Sequence, residues 1–277
     1  HELSFDPSTL DVGHVPYRVP VRFGIADAAD FHAALMRRLR SHGAIDLDPV
    51  GVHAAEMGWA DNLVGLGYRD DDGRVTHGFW GSTQGEYGPL RVTALTYETL
   101  DQLLEVLRLL RELGDQIRTV KIVEPAHVQL QALIREPMRQ RDRSRSTKHE
   151  SGNRAVAWMQ LRVLDVATCI AARSWIGSPV TFNLTLTDPL ELGVSEGWAG
   201  VGGEYTVHVG AESTATAGHQ PTLPHVRADV GAFTRLWFGV APATSLRATD
   251  ALEGPSDLLA ALDDALLLPP IRPGWDF

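Results

Sequence analysis

The spacing of apolar residues changes along this chain, and the changes divide it into elements. Residues 18–24 (RVPVRFG) alternate apolar and polar, the two-residue period of a half-buried strand. Over 28–41 the period becomes helical, with Phe31, Leu35, Met36 and Leu39 on one face and Gly43 beyond as a stop. Residues 62–68 and 75–81 read as two strands joined by the turn Asp70-Asp71-Asp72-Gly73. Residues 89–95 predict another strand. The strongest helix signal follows: Leu100, Leu103, Leu104, Leu107, Leu110 and Leu113 share one face, and Gly114 ends it. A strand over 117–123 and a short helix over 126–135, ended before Pro137, complete this half. Strand, helix, three strands, helix, strand, helix is the order of an α/β layer with a mixed sheet.

The stretch 139–154 (RQRDRSRSTKHESGNR) is basic and nearly free of apolar residues, so it cannot contribute to a core. It is short for an RNA-binding tail and has no interleaved aromatics; a solvated basic linker or loop is expected. It separates a domain over 1–138 from one over 155–277. In the second, 158–163 reads as a strand, and Asp165 caps a helix running to 173. Residues 180–186 and 204–209 predict a hairpin across the glycine-rich turn 197–203. A short strand over 225–229 precedes helices at 230–238, 244–251 and 256–267. Strands first and helices later predict an α+β sandwich.

Composition narrows the classes. No stretch approaches the ~18 apolar residues that cross a bilayer, and the opening HELSFDPSTL lacks the basic and apolar regions of a signal peptide. The chain opens on His1 rather than Met, which raises the expectation of a segment upstream. The single cysteine, Cys169, excludes an internal disulfide and fits a cytoplasmic protein. It falls in an apolar helical pattern and is expected as a small core residue. A formal charge of -10 argues against nucleic-acid partners and suits a cationic small substrate.

Familiar catalytic and metal motifs are missing. No H-E-x-x-H, C-x-x-C or G-x-S-x-G occurs, and His208, His219 and His225 fall on different predicted elements, so no metal site is expected. The run GWAGVGGEY leads into a strand rather than a helix, which favours a hairpin turn over a phosphate cradle. Asn183-Leu184-Thr185 is a glycosylation sequon placed inside a predicted strand, and is discounted. The leucines Leu258, Leu259, Leu262, Leu266 and Leu267 carry two readings, ordinary core or the lining of an apolar tunnel.

The segments VTALTYETLDQLLEVLRLL and IRTVKIVEPAHVQLQALI resemble the second, degenerate GNAT region of Eis (enhanced intracellular survival) acetyltransferases. WMQLRVLDVATCIAARSW, FNLTLTDP, DVGAFTRLWFG and RATDAL resemble that family's C-terminal sterol-carrier-like domain. The resemblance implies a GNAT-like mixed sheet with flanking helices, followed by a sterol-carrier-like α+β sandwich. It implies acetyl-CoA-dependent N-acetylation of amines of aminoglycoside or lysine type, and a homo-oligomer. In a GNAT domain a glycine-rich turn between a central strand and the next helix receives the pyrophosphate. Here that junction is Leu95-Thr96-Tyr97-Glu98-Thr99-Leu100, without glycine and with an acidic residue. Acetyl-CoA is therefore expected only on a GNAT domain preceding His1, with no cofactor held by this chain. The family's C-terminal carboxylate implies a catalytic role for that of Phe277, with Asp276 and Trp275 beside the amine substrate. The competing expectation is a non-catalytic protein whose sterol-carrier-like half binds an apolar small ligand or lipid.

Overall fold

The computed structural model describes residues 2–44, 49–125, 128–135, 152–154, 160–192, 198–269 and 271. They fall into two compact units, one up to 154 and one from 160 onward. Each is a mixed sheet with helices.

In the first unit the elements are β1 (Glu2–Phe5), β2 (Val21–Phe23), α1 (Ala28–Arg37), α2 (Val50–Met57), β3 (Leu63–Arg69), β4 (Val75–Thr83), β5 (Leu90–Thr96), α3 (Leu100–Glu112), β6 (Val120–Val123) and β7 (Gly152–Arg154). The sheet order is β2-β3-β4-β5-β6-β1-β7. Only β5 and β6 are parallel neighbours, and α3 is the crossover that a parallel pair requires.

Strand β4 is covered on both faces. Phe79 joins the cluster of Leu103, Val106, Leu107 and Leu110 on α3. The next residue, Trp80, joins Phe31 and Leu35 of α1 and Met57 of α2. Successive strand residues face opposite ways, so one dipeptide anchors both helical layers. Trp80 Nε1 donates to the Met57 carbonyl at 3.1 Å, which fixes the ring. Gly65 lies opposite Trp80 on β3. A Cβ there would come within 2.5 Å of the indole and 2.9 Å of the Phe23 carbonyl oxygen, so only glycine fits.

Several expected boundaries move, and competing hydrogen bonds explain them. The helix expected over 28–41 stops at Arg37, because Leu39 N turns to the Tyr97 carbonyl at 2.6 Å. In the stretch expected as a helix over 126–135, residues 126 and 127 lie outside the described residues. The described part forms only the 3-10 turn Leu130–Leu133. Its neighbours bond the amino-terminal segment instead, through Arg135 N to the Thr9 carbonyl and Asp11 N to the Leu133 carbonyl. Gly152–Arg154, within the expected linker, pairs with the outer edge of β1.

The second unit contains α4 (Val166–Ala171), β8 (Val180–Thr187), β9 (Gly203–Val209), β10 (Thr214–Ala217), β11 (His225–Asp229), α5 (Val230–Trp237), α6 (Ala243–Thr249), β12 (Leu252–Glu253) and α7 (Ser256–Ala265). The sheet order is β10-β9-β8-β11-β12, with β8 and β11 parallel. Asp165 and Asp229 cap α4 and α5 by accepting from Thr168 N and Ala232 N. The strand expected over 158–163 is not one at residues 160–163, where Val163 N donates to Thr234 Oγ1 of α5.

Leu258, Leu259, Leu262 and Leu266 are buried in one cluster with Phe182 and Phe233, whereas Leu267 is 80% exposed. The buried leucines are packed against side chains of the sheet and helices. Cys169 is half-buried at the edge of that core, and burial pushes its thiol up. Asn183 is 1% exposed, and its amide donates to the Gln220 and Leu223 carbonyls while accepting from Gln220 N. It belongs to the fold rather than to a glycosylation surface.

Replacing Gly65 with Ala should destabilise the first unit by about 1–3 kcal/mol and break the Trp80–Met57 bond. Urea unfolding followed by tryptophan fluorescence reads both effects; an unchanged midpoint would show that the indole can move aside freely.

Candidate functional site

The junction between β5 and α3 is closed by the chain's own groups. Thr96 is fully buried, Thr99 Oγ1 accepts from Gln102 N at 3.2 Å, and Gln102 Oε1 accepts from Glu98 N at 2.6 Å. Glu98 forms an ion pair with Arg37 at 2.9 Å. Two N–H groups of this junction, those of Glu98 and Gln102, meet side-chain oxygens, and the Glu98 carboxylate stands beside them. Without glycine and with that carboxylate in place, the junction is a poor fit for a diphosphate, which needs close backbone approach.

A polar cluster lies on the α3 side of the same sheet. His77 of β4 stands opposite Tyr68 of β3, with ring centroids 4.7 Å apart. His77 Nε2 is 2.9 Å from Glu105 Oε2 on α3, and Nδ1 is 2.9 Å from Thr76 Oγ1. Against a carboxylate, Nε2 carries the proton, and Nδ1 lies beside the hydroxyl of Thr76, which itself donates to the Tyr68 carbonyl at 3.1 Å. Arg18, from the segment before β2, reaches Glu105 Oε2 at 3.3 Å and covers the Tyr68 ring at 4.9 Å. Burial, then Glu105, pushes the Tyr68 hydroxyl up to about 12. Burial also lowers His77, against the opposing pull of Glu105. With both nitrogens engaged and 1% exposure, His77 orients Glu105 and offers no free base.

Glu105 itself is 9% exposed, and its Oε1 has no hydrogen-bond partner. An unsatisfied buried polar atom costs roughly 1–3 kcal/mol, more if charged. A cavity of ≈ 330 Å³ opens at this point, with Arg18, Thr76, His77, Asp101 and Glu105 among its lining residues. Sequence reasoning passed over these residues. The available signal was His77 in phase with Phe79 on a core-facing strand, and Asp101, Glu105, Arg108 and Glu112 at three- and four-residue spacing along a leucine-rich helix.

The second unit holds a tighter pair. Asp188 is buried and accepts from Arg162, from Leu190 N at 3.0 Å and from Val201 N at 2.9 Å. Burial alone would raise its carboxyl; these donors outweigh it and hold it below the usual carboxylate range. Gly200 has φ +84, and a Cβ there would lie 2.6 Å from Asp188 Oδ2. The described part of the glycine run is therefore a turn closed on the protein's own carboxylate.

Of the expected site residues, Trp275, Asp276 and Phe277 lie outside the described residues. His225 and His208 each bond a neighbouring threonine, Thr185 and Thr181. Among the described residues no group of three or more potential ligands could hold a metal ion. Nor is any helix among them long and apolar enough to cross a membrane.

No protein-family model matches the sequence, and no curated protein matches it. Solved structures do match. One is a GCN5-related N-acetyltransferase from Kribbella flavida, 18% identical, covering 97% of this chain and 62% of that one at TM-score 0.65. Another is a probable N-acyltransferase from Enterococcus faecalis V583, 14% identical, covering 97% and 64% at TM-score 0.70. A third is Eis1 from Mycobacterium abscessus, 16% identical, covering 100% and 67% at TM-score 0.71. The fold of this chain is therefore that of a large part of GCN5-related N-acetyltransferases. The chain spans about two thirds of the length of these structures or slightly less.

His77 has a definite linkage sign. Its folded pKa lies below the ordinary ~6.5, so as pH falls past that value the unfolded chain takes up a proton first and stability drops. The His77→Gln variant should show a shallower loss of urea stability between neutral pH and the folded pKa; equal slopes would mean that His77 titrates alike in both states. Asp188→Ala leaves Arg162 and two backbone N–H groups without their acceptor. It should cost roughly 3 kcal/mol or more in the unfolding of the second unit, and a loss within error would show that water replaces the carboxylate.

Proposed function

We propose that this chain is the carboxy-terminal portion of an Eis-like, acetyl-CoA-dependent N-acetyltransferase that acts on amines of aminoglycoside or lysine type. In this reading the first unit is a degenerate GNAT-like domain and the second a sterol-carrier-like domain of a cytoplasmic homo-oligomer. The observation that carries it is the alignment of 97–100% of this chain with structures of GCN5-related N-acetyltransferases, a probable N-acyltransferase and Eis1. Their remaining third leaves room for a separate acetyl-CoA domain. The start of α3, where two N–H groups are taken by Thr99 and Gln102 and Glu98 stands nearby, supports placing that cofactor outside this chain.

Acetyl-CoA supplies the acetyl group as an activated thioester. The part assigned to this chain is acceptance of the amine. The α-carboxylate of Phe277 is ionised at neutral pH, since its reference pKa is ~3.3–3.7. It attracts the substrate ammonium and relays its proton onward to solvent, freeing the lone pair for attack. Asp276 adds a second negative group beside it, and Trp275 an apolar wall.

The 277-residue chain alone should release no thiol from acetyl-CoA in the presence of an aminoglycoside or a lysine peptide. Turnover by it would overturn the assignment of the acetyl-CoA site elsewhere. In a longer, active gene product, removal of Phe277 should lower kcat by about 100-fold; an unchanged kcat would remove Phe277 from the mechanism.

A further inference from the structure

We infer that the cavity beside α3 binds a small organic cation with primary ammonium groups, and that the Glu105 carboxylate is its principal acceptor. The carboxylate is held in place from behind: His77 Nε2 at 2.9 Å and Arg18 at 3.3 Å both engage Oε2. Oε1 is buried and has no partner. A carboxylate oxygen can only accept, so the group that completes it is a donor.

The remaining charges select a cation over an anion. Asp101 lies one helical turn before Glu105, on the same face and on the cavity wall, and forms no ion pair among the described residues. Asp70 adds a third carboxylate to the lining. Arg69 also lines the cavity, but Asp27 at 2.6 Å and Asp30 at 2.8 Å already neutralise it. Arg18 is spent on Glu105 Oε2 and the Tyr68 ring. Val15 and Pro16 supply an apolar wall for a short methylene stem. A volume of ≈ 330 Å³ falls at the small end of the ~300–1,000 Å³ range of ligand sites. These features together describe a short diamine, one ammonium on Glu105 and the other toward Asp101.

Calorimetric titration of this chain tests the site without reference to acetyl transfer, using putrescine, butylamine and inorganic phosphate as probes. Putrescine should bind saturably, butylamine more weakly, and phosphate not at all. Glu105→Gln keeps the side-chain shape and should weaken putrescine by about 10-fold or more. Asp101→Asn, at an exposed position, should erase the preference for the diamine over the monoamine. Absence of saturable amine binding would mean that Oε1 is met by water, and would overturn the assignment. So would preferential binding of phosphate, or an affinity for putrescine that neither variant changes.

Discussion

A strand covered on both faces allows little freedom to its neighbours, and the first unit is arranged around that constraint at β4. Phe79 and Trp80 point to opposite sides, into the α3 cluster and the α1–α2 cluster. Interiors pack at crystal-like density, so the indole's volume must be subtracted somewhere. It is subtracted at Gly65 on the adjacent strand. The bond from Trp80 to the Met57 carbonyl then ties α2 to the sheet, although α2 itself is only eight residues long. The helix on the far side, α3, is held by leucines that are fully buried.

Buried charge is treated differently in the two units. In the second, Asp188 receives a guanidinium and two backbone N–H groups, and the turn at Gly200 is shaped so that its neighbour can donate. Both of its oxygens are used, and the carboxylate acts as a staple between Pro189–Leu192 and the turn before the next strand. In the first, Glu105 is braced on one oxygen only. His77 and Arg18 position it, Tyr68 roofs the imidazole, and the other oxygen is buried without a partner in a residue that lines a cavity. Buried polar atoms without partners are rare in folded proteins.

The acetyltransferase reading and the cation site rest on different observations. The first comes from the extent of the shared fold, at an identity that speaks for architecture alone. The second comes from a single oxygen atom and the charges around it, all within one unit. Both point to cationic, amine-bearing ligands, in keeping with the acidic balance of the chain, yet neither depends on the other.

The sequence by itself determined the elements whose signals are local. The buried leucines of α3, the cap Asp165, the Asp70–Gly73 turn and the strand β8 are set by residues a few positions apart, and they form where expected, although Leu100 of the expected leucine face is 47% exposed. Only the tertiary structure decided the rest, because it depends on partners remote in the chain. The four-residue β1 is too short to declare itself, and becomes a strand by lying between β6 and β7. Helix α1 ends early because Leu39 N finds the Tyr97 carbonyl. The capping of α3 by Thr99, and the Gln102 and Arg37–Glu98 contacts beside it, appear only once the chain is folded. Glu105 and His77 are separated by 28 positions. On a helix counted for its leucines a lone glutamate reads as surface, and only the packing of α3 onto β4 turns it into a buried acceptor facing a cavity.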